Sequence, residues 1–157
     1  MEPVVAKVLT TSGLEDHLGY WLRFVSNHVS QAFARKVEAR GVTVAEWVLM
    51  REMFERDTAV PSELAERIGM TRGAISKLAD RLIAKSLITR TQSKDDARYQ
   101  ALALTKKGRV LVPSLATLAD ENDAEFFGHL DKGAREGLAK VMRDIIAHHG
   151  LKTTPVD

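Results

Sequence analysis

Apolar side chains return every three or four residues along almost the whole chain, and this rhythm breaks only once, between Leu87 and Leu104. A period near 3.6 lays apolar groups along one stripe of a helix, so the chain must fold as amphipathic helices that cover one another. Leu14, Leu18, Trp21, Leu22, Val25, Val29, Ala32, Phe33 and Val37 form the first and longest stripe, closed by Gly41. Thr43-Val44-Ala45-Glu46 has capping-box spacing and opens a helix that carries Trp47, Val48, Met50, Met53 and Phe54 to about Asp57. Pro61 suits the first turn of a short helix ending at Ile68. Gly69 breaks that helix, and Thr71 can cap a fourth that runs to about Lys85. In the interruption, residues 87–92 and 99–104 are short Thr-, Ile- and Tyr-bearing stretches on either side of the polar tip 93–98. That pattern predicts a β-hairpin with a charged loop. Thr105 can cap a fifth helix to about Phe127, which Pro113 is placed to kink. Asp131 can cap a sixth helix bearing Leu138, Val141, Met142, Ile145 and Ile146.

The expected fold is therefore mostly α with one small hairpin. A length of 157 residues suits one compact chain. It divides by role into 1–42, 43–104 and 105–157, with the outer segments supplying long helices whose stripes the short middle helices are too small to cover. Burying those stripes against each other and against a second copy solves that problem and predicts a homodimer through both ends. The absence of cysteine excludes disulfides, thiolate metal sites and thiol redox chemistry. No run nears the roughly 20 apolar residues of a membrane span, and the first eleven residues lack the plan of a secretory signal, so a cytoplasmic protein is expected. No nucleophile elbow, Gly-rich phosphate loop, zinc spacing or cofactor motif is present, so neither an enzyme nor a cofactor is expected.

The net charge of +2 conceals an asymmetry. Residues 69–109 hold ten Lys or Arg against three Asp, a balance of +7, whereas the remainder holds thirteen basic against eighteen acidic side chains, a balance of −5. Cationic charge gathered in a quarter of an otherwise acidic chain fits a polyanion-binding surface. The same region runs Glu63-Leu64-Ala65-Glu66-Arg67-Ile68-Gly69-Met70-Thr71-Arg72-Gly73-Ala74-Ile75-Ser76-Lys77. Two helices crossing steeply need a small residue at the contact, a turn-tolerant residue between them and apolar anchors on both. Ala65, Gly69 and Ile75, with Leu64, Ile68 and Leu78, stand at those places, which is the helix-turn-helix pattern. A plain αα-corner with a wet polar face has the same turn. The basic hairpin directly afterwards favours DNA binding, because a recognition helix and a neighbouring finger offer one surface to each groove.

The stretch Asp80-Arg81-Leu82, Leu87-Ile88-Thr89-Arg90, Asp95-Asp96-Ala97-Arg98 and Leu102-Ala103-Leu104-Thr105-Lys106-Lys107-Gly108 resembles the MarR family of winged helix-turn-helix transcriptional regulators. The similarity extends from Leu14 to Ile146. The resemblance implies a triangular homodimer, held by helices from both termini, with each wing reaching a minor groove. The family's wing-tip aspartate and arginine fall on Asp96 and Arg98. Where the family commonly closes the recognition helix with glycine, this chain has Ser86, which in a left-handed conformation costs roughly 1 kcal/mol relative to glycine. Without a cysteine in the first helix the chain is unlike the peroxide-sensing branch.

Candidate DNA-binding residues follow. Arg72, Ser76 and Lys77 are placed for the major groove, with Gly73 permitting close approach. Arg98 can enter a narrow minor groove, and Asp96 can orient it or fix the turn. Thr71, Arg90 and Lys94 suit phosphate contacts or structural roles, and Ser62 either a phosphate contact or a cap. Asp80 shares a face with Lys77 and Arg81 and is expected to tether a neighbouring base. His17 and His28 lie about 16 Å apart along one helix, too far to share a metal. Each suits a hydrogen-bonded interface or the wall of an effector pocket. Trp21, flanked by Tyr20 and Arg23, suits an aromatic carboxylate or dimer packing, whereas Trp47 suits the core. The whole predicts a homodimeric regulator, in its family most often a repressor, that binds a pseudo-palindromic double-stranded operator; release by a small aromatic or phenolic ligand is what the resemblance implies. The rival is a winged-helix module that binds protein.

Overall fold

The computed structural model describes residues 11–92 and 100–152. Side-chain caps set most helix starts. Thr43 Oγ1 accepts from the Glu46 N–H (3.2 Å) while Glu46 Oε2 accepts from the Thr43 N–H (3.3 Å), opening α2 (Val44–Met53). Thr71 Oγ1 accepts from the Ala74 N–H (3.1 Å) at the head of α4 (Arg72–Ala84). Thr105 Oγ1 accepts from the Gly108 N–H (3.0 Å) before α5 (Lys106–Phe127), and Asp131 Oδ1 from the Ala134 N–H (2.7 Å) before α6 (Lys132–His149). Each satisfies one of the first-turn donors that a helix leaves open. α3 (Pro61–Ile68) begins instead on proline, with Val60 in the cap position and no side-chain cap. The first stripe divides. Leu14–Asp16 form a single 3-10 turn, tied by the Trp21 indole N–H to the Glu15 carbonyl (2.9 Å), and α1 (Leu18–Glu38) starts after His17.

The helix-turn-helix corner closes at Gly69, whose φ of +77° is open to glycine at little cost. The N–H groups of Gly69 and Met70 both donate to the Ala65 carbonyl at 2.9 Å. β1 (Ile88–Gln92) pairs antiparallel with β2 (Gln100–Leu104), Ile88 opposite Leu104 and Gln92 opposite Gln100. Ala59 adds a one-residue third strand, exchanging two 2.8 Å backbone hydrogen bonds with Leu102. No periodicity announces a strand one residue long, and the sequence pattern does not include it. α5 runs through Pro113 without a break, with the Ser114 hydroxyl donating to the Leu111 carbonyl (2.8 Å).

One core serves the whole. Leu49, Met50 and Met53 of α2, Leu64 of α3, Ile75 and Leu82 of α4, Ile88 and Leu102 of the hairpin, and Val112 and Leu115 of α5 are buried together with Val37 and Val42. The near halves of α1 and α5 thus belong to the same core as residues 43–104. Buried Asn122 joins them, its amide donating to the Val29 carbonyl (3.2 Å) while its Oδ1 accepts from Lys36 (2.9 Å). The far ends differ. α6 buries none of its residues, and Leu18, Trp21, Leu22, Phe24 and Val25 of α1 stay exposed, Leu18 at 87%.

Candidate nucleic-acid interface

α4 is two-faced because its apolar residues keep the helical period. Ile75, Leu78, Ala79 and Leu82 are buried, leaving Arg72, Gly73, Ser76, Lys77, Asp80 and Arg81 exposed on the other side. The four residues expected to meet base edges or approach them, Arg72, Gly73, Ser76 and Lys77, therefore share one open face. A side chain built on Gly73 would meet nothing nearer than the Thr71 hydroxyl at 3.9 Å, so the fold does not need glycine there. Its bareness instead leaves the helix surface low. Thr71 is fully accounted for as the cap, although its exposed position also borders this face. Ser62 lies inside the first turn of α3, half-buried, and is not the cap residue. Its N–H is one of the first-turn donors, and the capping alternative is removed.

The hairpin leaves α4 directly and brings Arg90 against it. Arg90 Nη2 lies 3.0 Å from Asp80 Oδ1, forming an ion pair. Asp80, expected to tether a neighbouring base, has one across from it on the strand. Lys94, Asp96 and Arg98 lie outside the described residues.

Several of the ten cations of residues 69–109 are engaged within the fold. Lys85, at the end of α4, donates to Glu46 Oε2 (2.7 Å) and to the Gly41 carbonyl (2.9 Å). Glu46 is buried, and a buried carboxylate needs such a partner. Lys107 donates to the Lys85 carbonyl (3.2 Å), and Arg109 forks onto the carbonyls of Phe54 (3.1 Å) and Arg56 (2.9 Å). Sequence reasoning saw Glu46 only as half of a capping box. Its second partner lies 39 residues away and leaves no local signature.

The residues expected at an effector pocket are not gathered. His17 precedes α1, and Trp21 and His28 are exposed along it, His28 beside the Phe24 ring at 5.0 Å between centroids. Arg23 forms no ring contact with Trp21 among the described residues, where the cation–ring pair is Arg51 over Phe54 at 5.8 Å. Trp47 packs edge-on against Phe33 at 6.4 Å, half-buried at the core margin. A cavity of about 500 Å³ lies elsewhere, between the end of α1, the end of α4 and the start of α5, walled by Arg40, Lys85, Lys107, Leu87, Val110 and Leu111. Among the described residues no three His, Asp or Glu side chains are placed to share a metal ion, and no helix is long and apolar enough to cross a membrane.

Residues 42–99 match the sequence model of the MarR family. The HTH-type transcriptional repressor MdtR of Bacillus subtilis is 30% identical over 89 residues, which are 57% of each chain. A probable transcriptional regulator from Pseudomonas aeruginosa superposes with a TM-score of 0.75 at 25% identity, over 85% of this chain and all of that one. The S. aureus MepR–DNA complex superposes with a TM-score of 0.77 at 21% identity, over 84% of this chain and 98% of that one.

Proposed function

From the match of residues 42–99 to the MarR family we propose that the chain is a regulator of that family, a homodimeric repressor that binds a specific double-stranded operator. It is a transcriptional regulator with a DNA-binding winged helix, not an enzyme. One observation carries the specific-DNA reading: a recognition helix with a fully buried back presents Arg72, Ser76 and Lys77 around a bare Gly73. Cationic and hydroxyl groups on a low surface match what major-groove base edges and phosphates require. Ser62 and Thr71 border that face and suit the flanking phosphates, and Lys94, Asp96 and Arg98 are proposed for the wing tip, with Arg98 in the minor groove.

The dimer is supported by the apolar stripes of α1 and α6, which this chain alone leaves open. Twofold pairing sets two recognition helices on successive major grooves, about 34–36 Å apart, and so calls for a pseudo-palindrome. The name of MdtR supports repression. A cytoplasmic location is part of the same proposal, since a repressor acts where its operator is. A small ligand that controls binding has a candidate place in the 500 Å³ cavity, lined by Leu87, Val110, Leu111 and Arg40, whereas His17, Trp21 and His28 are scattered.

Titration against duplexes selected from a random library, repeated at several salt concentrations, tests the reading. Log affinity falling steeply with log salt supports it, since phosphate contacts release counterions. Arg98→Ala should weaken binding mostly at A·T-rich flanks, and Ser76→Ala or Lys77→Ala should relax selectivity at inner positions. A flat salt slope, with no sequence recovered from the library, favours the protein-binding module instead.

A further inference from the structure

Arg90 is the basic residue of the hairpin root, suited by sequence to a phosphate contact or a structural role. Its geometry favours the second. Only 29% of its side chain is exposed, Nη2 is held by Asp80 at 3.0 Å, and Nε is shut away from water with no hydrogen-bond partner among the described residues. An arginine that reaches for a phosphate keeps its head group hydrated and movable until DNA arrives; this one has given up solvent on one nitrogen and committed another to a carboxylate. Asp80, for its part, stands one turn beyond Ser76 and Lys77 on the exposed side of α4, with 64% of its side chain in solvent. An uncompensated carboxylate there repels the same phosphates that Arg72 and Lys77 attract.

We infer that Arg90 is a positioning residue: with Asp80 it fixes the root of the wing against the recognition helix and cancels a negative charge beside the DNA-facing surface, and it contacts no phosphate. The position is suited to that task. Arg90 lies opposite Leu102 in the hairpin register, and Leu102 is buried and bonded on its other side to Ala59, so the middle of the hairpin is anchored to the core. The pair adds a lateral tie between that anchored rung and the exposed side of α4. A surface ion pair of this kind contributes little to folding stability, so its effect belongs to the angle between wing and helix. That angle decides whether one duplex can meet both at once. The inference rests on the DNA-binding reading above for its consequence, though not for the tie itself.

A double-mutant cycle of Asp80→Asn and Arg90→Gln tests it, read on a duplex selected by the wild-type protein and on a scrambled duplex. Each single variant should bind the selected duplex about tenfold more weakly; the scrambled duplex should be bound nearly as before by Asp80→Asn and about two- to threefold more weakly by Arg90→Gln, which leaves Asp80 uncompensated. The salt slope should be unchanged, and the double variant should be no weaker than the weaker single. Asp80→Glu, which keeps the charge, should recover most of the loss. Additive losses on both duplexes, with the slope falling by about one in Arg90→Gln, identify a phosphate contact and overturn the inference. Tighter binding by Asp80→Asn overturns it as well. Amide hydrogen exchange of residues 90–92 and 100–102 decides the tie without DNA. Both single variants should speed exchange there by similar factors and the double no further, whereas unchanged exchange removes the tie. A wild-type protein that selects no duplex defeats the DNA reading, while the exchange result still judges the pair.

Discussion

Ser86 has a φ of +61°, and every other left-handed position among the described residues is glycine. Its main-chain groups are committed, the N–H to the Ile83 carbonyl (2.9 Å) and the carbonyl to the Thr105 hydroxyl (2.7 Å), so the conformation is imposed by the turn out of α4. Ser86→Gly keeps both bonds and removes the Cβ penalty. It should raise unfolding free energy by about 1 kcal/mol, measured by urea denaturation, with DNA affinity unchanged. Gly73 is the opposite case. It lies within α4 in open space, where alanine is the better helix former, so Gly73→Ala should stabilise the fold by up to about 1 kcal/mol. The added methyl rises from the face offered to DNA, and operator affinity should fall by about tenfold or more. A variant that gains stability and keeps full affinity removes Gly73 from the interface. At this scale, sequence was informative where partners are near neighbours. The caps at Thr43, Thr71, Thr105 and Asp131 each find their donor three residues on. Lys85 with Glu46 and Arg109 with Phe54 and Arg56 could not be read, because nothing in a linear pattern says which cation folds back onto which distant oxygen.

The hairpin and α5 form one joint, and the joint explains the Leu104, Thr105 and Gly108 pattern. Thr105 Oγ1 accepts from Gly108 and donates to the Ser86 carbonyl, while the Thr105 N–H donates to the Leu87 carbonyl (3.0 Å), so the head of α5 is laced to the exit of α4. Gly108 is buried there, and a Cβ on it would collide with the Leu87 carbonyl oxygen, a backbone atom with no freedom to yield. Gly108→Ala should cost about 1–3 kcal/mol through overpacking, seen as a lower thermal midpoint. Because α5 would tilt away from the winged helix, the variant should also lose operator affinity. A fully stable variant shows that the joint can open without cost. Element order was legible because the period switches near residue 87 and returns after 104. The Ala59 strand and the break at His17 were hidden, since neither spans enough residues to set a period.

At the level of the whole molecule, the two ends of the chain carry apolar surface that the other described residues leave open. Leu138, Val141, Met142, Ile145 and Ile146 are 41–55% exposed along α6, and Leu18, Trp21, Leu22 and Val25 are exposed along α1. Periodicity revealed both stripes but not that they remain apart. That depends on α6 leaving α5 so that no α6 residue is buried, and the direction of a turn at residues 128–131 has no periodic signature. The hydrophobic cost of such surface makes twofold pairing the economical outcome. The wild-type protein should therefore sediment at twice its 17.4 kDa chain mass. Ile145→Asp places a charge in the centre of the α6 stripe and should give a monomer. Since Ile145 lies outside the buried core, helicity and cooperative unfolding of the winged-helix core should persist. That separates loss of pairing from loss of fold. A monomer meets one half-site and forfeits the effective concentration that brings the second recognition helix to its groove, so operator affinity should drop about 100-fold or more, towards that of a half-site duplex. An Ile145→Asp protein that stays dimeric moves the interface elsewhere, and a monomer that keeps full operator affinity shows that the helices read DNA singly.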